Sequence, residues 1–205
     1  MELHAPGGPV RSFKDFLVHI GVVTLGILIA LGLEQLVEKH HRSQLAKTAV
    51  TGFRKELAYN EDQIKEMQGH IPELQAKIDR AIAQLSSSPS TGTAESPIVY
   101  PGFSVEVLST ANWDTAVATQ ALNELPFDAV TRYARAYGTL RLFAETEQQG
   151  LSLWKDLRRF GTDPAGIAKD QRVTLISELR RYGNALIVVD FAGKAALRDC
   201  DEALK

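Results

Sequence analysis

FLVHIGVVTLGILIALGL, residues 16–33, is the stretch on which the fold turns. It holds no Asp, Glu, Lys or Arg. A helix of about 20 apolar residues spans the hydrocarbon of a bilayer. Gln35, Leu36 and Val37 complete that length, with Glu34 at the interface. A soluble helix that is apolar on every face needs a large core around it. Gly21, Gly26 and Gly32 weaken a soluble helix but are common in membrane-spanning ones. A cleaved secretory signal is the rival reading, because Ala30-Leu31-Gly32 has the small residues of a cleavage site. The apolar run is long for that, and helix-forming sequence continues straight past it. Residues 16–37 therefore read as a retained transmembrane helix behind an N-terminal tail, 1–15.

On a helical wheel His19, Val23, Gly26, Ala30, Glu34 and Val37 share one face. Gly26-x-x-x-Ala30 is a small-x-x-x-small pair that lets two helices approach closely. His19, Gly26, Ala30 and Glu34 are thus the candidate association face. An ionisable residue inside a span is a functional candidate by default; the plainer reading of His19 is a side chain that reaches back to the headgroups.

Outward from the anchor, helical periodicity continues to about Leu85. Apolar residues fall at Leu45, Ala49, Phe53, Leu57, Ile64, Met67, Ile71, Leu74, Ile78, Ala81 or Ile82, and Leu85. From Ile64 the steps are three and four, a heptad seam that a helix of the same chain or of a neighbour could cover. Pro72 predicts a break or kink near Gly69-His70-Ile71, since proline does not fit a helix interior. Residues 38–85 are read as this long helical segment. Residues 86–103, with SSSPSTGTAESP at 86–97, are read as a linker.

Residues 104–205 form the expected bundle domain. Ser109-Thr110 reads as a helix cap before Ala111 to Leu122. Leu125-Pro126 restarts a helix through Val130, Tyr133, Tyr137, Leu140, Ala144, Leu151, Trp154 and Leu157. Thr162-Asp163-Pro164 caps a last one, striped by Leu175, Leu179, Tyr182, Leu186, Val189, Gly193, Leu197 and Cys200. No segment reads as a convincing strand. The fold class is all-α: a transmembrane helix running into a long, kinked helix, plus an antiparallel bundle.

Composition limits the function. The 205 residues are 44% hydrophobic, enough for a packed core. A net charge of -2 argues against nucleic-acid binding, which needs a basic face. The single cysteine, Cys200, has no partner for a disulfide. Glu38-x-x-His41 with Glu34 is a weak metal candidate, lacking the second Glu-x-x-His of a di-iron bundle. Trp113-Asp114 is either a ligand-stacking site or a packing anchor at a helix start. Asp190, in the apolar run Leu186 to Ala192, needs a partner, for which Arg158, Arg159, Arg180 and Arg181 are candidates. No nucleophile triad or phosphate-binding glycine loop is present, so no enzymatic activity and no cofactor is expected.

Two segments carry a resemblance. One is Gly26-Ile27-Leu28-Ile29-Ala30-Leu31, followed by a charged helix with Leu57 and Asn60. The other runs from Leu108-Ser109-Thr110-Ala111-Asn112-Trp113-Asp114 to Ala121-Leu122 and Leu125-Pro126. Together they resemble a bacterial family of small single-pass membrane proteins of unknown function, with its Ser-x-x-x-Trp stretch ahead of a tyrosine-bearing helix (here Tyr133 or Tyr137). Gln120 departs from that pattern, which has a small residue there. The resemblance implies a membrane-anchored helical protein and supplies no activity.

Orientation follows from two opposed signals. Lys39, Arg42, Lys47, Arg54 and Lys55 outnumber Arg11 and Lys14, which by count places the C-terminal side in the cytoplasm. A basic pair ahead of the apolar run is also how an exporting signal anchor begins. With the family resemblance, the expectation is a bacterial inner-membrane protein with its helical domain in the periplasm. Its partners are then the lipid membrane and a second copy or another membrane protein. The expected function is a structural or interaction protein that self-associates. The alternatives are a homo-oligomeric channel or sensor with His19 and Glu34 along its pathway, and a ligand-binding or enzymatic helical domain.

Overall fold

The computed structural model describes residues 13–87, 97–160 and 167–205. Most of the expected tail, the centre of the expected linker and the Thr162-Asp163-Pro164 cap lie outside them. The described residues form four α-helices, one 3-10 turn and no strand. They are α1 (Phe13–Ser87), α2 (Ala111–Ala118), the turn Ala121–Glu124, α3 (Phe127–Leu157) and α4 (Lys169–Leu204).

Helix α1 has 75 residues, a rod of roughly 110 Å at 1.5 Å per residue. It is long and apolar enough to cross a membrane, by length and composition. Every residue from Phe13 to Arg42 is exposed, and the first buried side chain is Ala46. The expected break near Gly69 does not occur, for the helix runs unbroken past Pro72. Gly69 and Pro72 sit on the solvent face, Gly69 between the buried Met67 and Ile71 and Pro72 between the buried Ile71 and Leu74. There water can satisfy the carbonyl that proline leaves without a donor, while the apolar face stays packed.

Beyond Ala46 the apolar face of α1 belongs to one core shared with α3 and α4. Phe53, Leu57, Ile64, Met67, Ile71, Leu74, Ile78, Ala81 and Leu85 are all buried in it. The heptad seam is thus covered by its own chain. Side-chain pairs fix the directions. Gln68 donates to the Asp190 carbonyl and Gln75 to the Gly183 carbonyl, so α4 runs against α1. Phe53 meets Tyr133 and Glu56 meets Tyr137, so α3 runs with α1. The fourth leg is the segment 97–110 followed by α2, which descends along α1 from Ser109 beside Asn60 to Glu124 beside Arg42. The domain is therefore a four-legged up-down bundle with one leg extended for much of its length. At Gly193 side chains of α1 and α3 press against the α4 backbone. A Cβ there would lie 3.2 Å from Ile64 Cγ2 and 3.2 Å from Phe143 Cε2.

Helix α2 ends at Ala118, short of the expected Leu122. Gln120 follows with φ 58° and ψ 21°, the left-handed conformation that a helix cannot continue.

Candidate functional site

Two groups of residues were singled out by sequence, the anchor face and the Trp113-Asp114 pair, and they lie in different environments. His19, Gly26, Ala30 and Glu34 stand on the bare part of α1, and all four residues are exposed. A Cβ added at Gly21, Gly26 or Gly32 would meet nothing within 4 Å. No group of three or more His, Cys, Asp or Glu side chains among the described residues could hold a metal ion. Glu34, Glu38 and His41 therefore do not converge. Glu38 lies 3.7 Å from Arg42, and Arg42 lies 3.6 Å from Glu124 at the turn after α2.

Trp113 is a packing anchor, 8% exposed. It stacks on Tyr137 with ring centroids 5.1 Å apart and meets Phe53 at 5.6 Å. Phe53 also meets Tyr133 at 4.9 Å. With its ring engaged by core aromatics, Trp113 is not free to stack a ligand. Asp114 stays on the surface, where Arg141 reaches it at 2.6 Å and the Thr110 hydroxyl donates to it at 2.7 Å.

The polar feature that sets this corner is a clamp between α1 and the start of α2. The Asn60 side chain, fully buried, donates to the Ser109 carbonyl at 2.7 Å and accepts from the Ser109 N–H at 2.9 Å. One turn earlier Glu56 accepts from the Ser109 hydroxyl at 2.6 Å, the Asn112 N–H at 3.1 Å and the Tyr137 hydroxyl at 2.7 Å. Burial alone would raise the Glu56 pKa. The bonds from Ser109, Tyr137 and Asn112 outweigh it and hold the carboxyl below its usual range. Burial first, then its bond to the Glu56 carboxylate, raises the Tyr137 phenol. Gly52 admits this arrangement, since a Cβ there would lie 2.5 Å from the Asn112 Oδ1. Sequence reading missed Glu56 as a buried group. Asn60 left a trace, because it occupies the seam position between Leu57 and Ile64.

Higher in the bundle the extended leg is held by α3 and α4. Trp154 donates to the Pro101 carbonyl at 2.8 Å and Tyr182 to the Gly102 carbonyl at 3.0 Å. Phe103 lies over Gly150. Glu147 is 1% exposed and accepts only a long bond, 3.4 Å, from the Glu106 N–H. Burial pushes its pKa up to about 7. Asp190 is paired by Lys194 at 2.6 Å and by Gln68. None of the four expected arginines reaches it, because Lys194 is one turn away on the same helix. Burial pushes the Cys200 thiol up to about 12, far from a reactive thiolate.

Comparison with protein-family models, characterised proteins and solved structures finds no match.

Proposed function

We propose that the chain is a single-pass membrane protein. Residues 16–37 of α1 anchor it, and its helical domain is an interaction module that self-associates or docks a second membrane protein. The observation that carries this reading is the bare length of α1. Phe16 to Val37 expose an apolar surface on every side, although the same helix buries its face completely a few turns later. Water would not tolerate such a surface on a folded protein, and a bilayer covers it. The proposed setting is the bacterial inner membrane with the bundle in the periplasm, and the function is structural rather than catalytic.

Self-association is supported by the phase of the helix. At about 100° per residue, the face of Gly26 and Ala30 lies roughly 180° around α1 from that of the core residues Phe53 and Leu57. Two anchors joined on that face would carry their bundles on opposite outer sides, free of collision. Energy transfer between donor- and acceptor-labelled full-length chains in vesicles tests this. Transfer is expected at high lipid-to-protein ratios, reduced at least about tenfold in association constant by Gly26→Ile with Ala30→Ile. Transfer no greater than random proximity, with no membrane protein retained on the chain, would sink the reading.

A further inference from the structure

Phe127 is the most exposed of the large apolar side chains among the described residues, at 86%. It opens α3, directly after the turn Ala121–Glu124. Its neighbours hold it still. Leu122 and Leu125 pack against the core. Backbone bonds tie Asn123 to Gln120, Leu125 to Leu122 and Val130 to Pro126. A rigid platform thus presents an aromatic ring that the bundle does not use.

The unbroken α1 serves as a ruler for where that platform stands. The turn touches α1 at Arg42, through Glu124, and at the groove lined by Ala46, Val50 and Leu125. From Val37 to Arg42 is about 7.5 Å of helix, and to Ala46 about 13.5 Å. The extended leg descends to this turn and α3 rises from it, so it is the part of the bundle nearest the anchor. Side chains tilt toward the N-terminus of their own helix. Because α3 starts at the turn and runs away from the anchor, Phe127 points back along α1, and its ring reaches about 5 Å closer. A headgroup layer extends about 5–8 Å beyond the hydrocarbon. A tilt of about 20°, ordinary for a spanning helix, lowers an element packed about 10 Å to the side by a further 3 Å or so.

We propose that this end of the bundle rests on the bilayer that holds the anchor, with the Phe127 ring seated among the lipid headgroups as a second membrane contact. The proposal rests on the reading that residues 16–37 span the membrane. It goes further in fixing the tilt and rotation of the domain. Asp128, on the same rim, is paired with Arg132 at 2.9 Å, and Glu124 with Arg42, so neither presents an unpaired carboxylate to lipid phosphates. The chemistry fits a lipid interface, where aromatic rings concentrate and lie at headgroup depth.

The test uses the full chain in phosphatidylcholine vesicles. A fluorophore is attached at Phe127→Cys, at Leu28→Cys in the span, or at Val173→Cys at the far end of the bundle. Val173 is exposed, as is Phe127, so these two changes leave the core intact; native Cys200 is buried and unlabelled. Nitroxide lipids carry the quencher at the headgroup or at mid-chain. Expected are mid-chain quenching at Leu28, and headgroup quenching at Phe127 at least about twofold above Val173. Quenching at Leu28 with Phe127 no different from Val173 overturns the proposal and leaves the anchor standing. A blue-shifted Phe127 probe without nitroxide quenching overturns it too, and assigns the ring to another protein surface. No quenching at Leu28 removes the anchor, and this contact with it.

Discussion

Asn60 shows how a single side chain can specify a junction. Its amide satisfies both backbone groups of Ser109, at a seam position where a leucine would have satisfied neither. Asn60→Ala leaves a buried N–H and C=O unpaired, and a loss of about 2–3 kcal/mol in denaturant unfolding is expected. Tyr137→Phe removes one donor of the three at Glu56 and should cost about 1 kcal/mol. Gln120 holds a left-handed backbone in which glycine is at ease. Gln120→Gly should therefore stabilise the domain by about 0.5 kcal/mol, after allowing for the entropy that glycine loses on folding. Glu147 gives a pH signature. Its carboxyl titrates near 7 when folded against 4.5 when free. Between those values the folded state keeps a proton that the unfolded chain releases, so stability falls as pH rises through this window and levels off above it. The full span of that effect is about 3 kcal/mol. Thermal unfolding of the full chain should give a higher Tm at pH 5.5 than at pH 8.5, a difference that Glu147→Gln largely removes. At this scale little was legible beforehand. Asn60 was noted only within the resemblance, and Glu56 and Glu147 looked like any other helix-face acid. Only the tertiary arrival of Ser109 and of the extended leg buries them.

Among the elements, α1 was the most readable, because an apolar stripe at three-and-four spacing has one physical meaning. Its stripe is buried from Phe53 on, with Leu45 and Ala49 half-buried and Ala46, Glu56 and Asn60 buried beside it. Of the break or kink expected at Pro72, a break does not occur: the helix continues through it, since proline's cost depends on which side of the helix it faces, and here the freed carbonyl faces water. Because Pro72 is exposed within a continuous helix, Pro72→Ala should raise stability by about 1–3 kcal/mol, read from the denaturant midpoint. The stripes of α3 and α4 were likewise visible in the sequence. The segment 97–110 was not, for its short candidate strands, Ile98 to Tyr100 and Phe103 to Val107, are too brief to fix a structure. Its place is set by single contacts, Trp154 to Pro101 and Tyr182 to Gly102, that no spacing announces.

At the scale of the whole molecule, one helix carries two kinds of surface. Its first turns are apolar all round and bare, while its last turns bury a face against α3 and α4. With no break between them, rotation or pairing at the proposed anchor would pass to the bundle as rigid-body motion. The clamp at Glu56 and Asn60 then carries that motion to the start of α2. What the molecule does with this coupling depends on residues 16–37 spanning a membrane. The most direct measurement is the labelling of single cysteines at Lys14→Cys and Gln44→Cys, in sealed vesicles, with a membrane-impermeant maleimide. The spanning account predicts that one of the two reacts at once and the other only after the vesicles are permeabilised. Equal labelling of both before permeabilisation would contradict it.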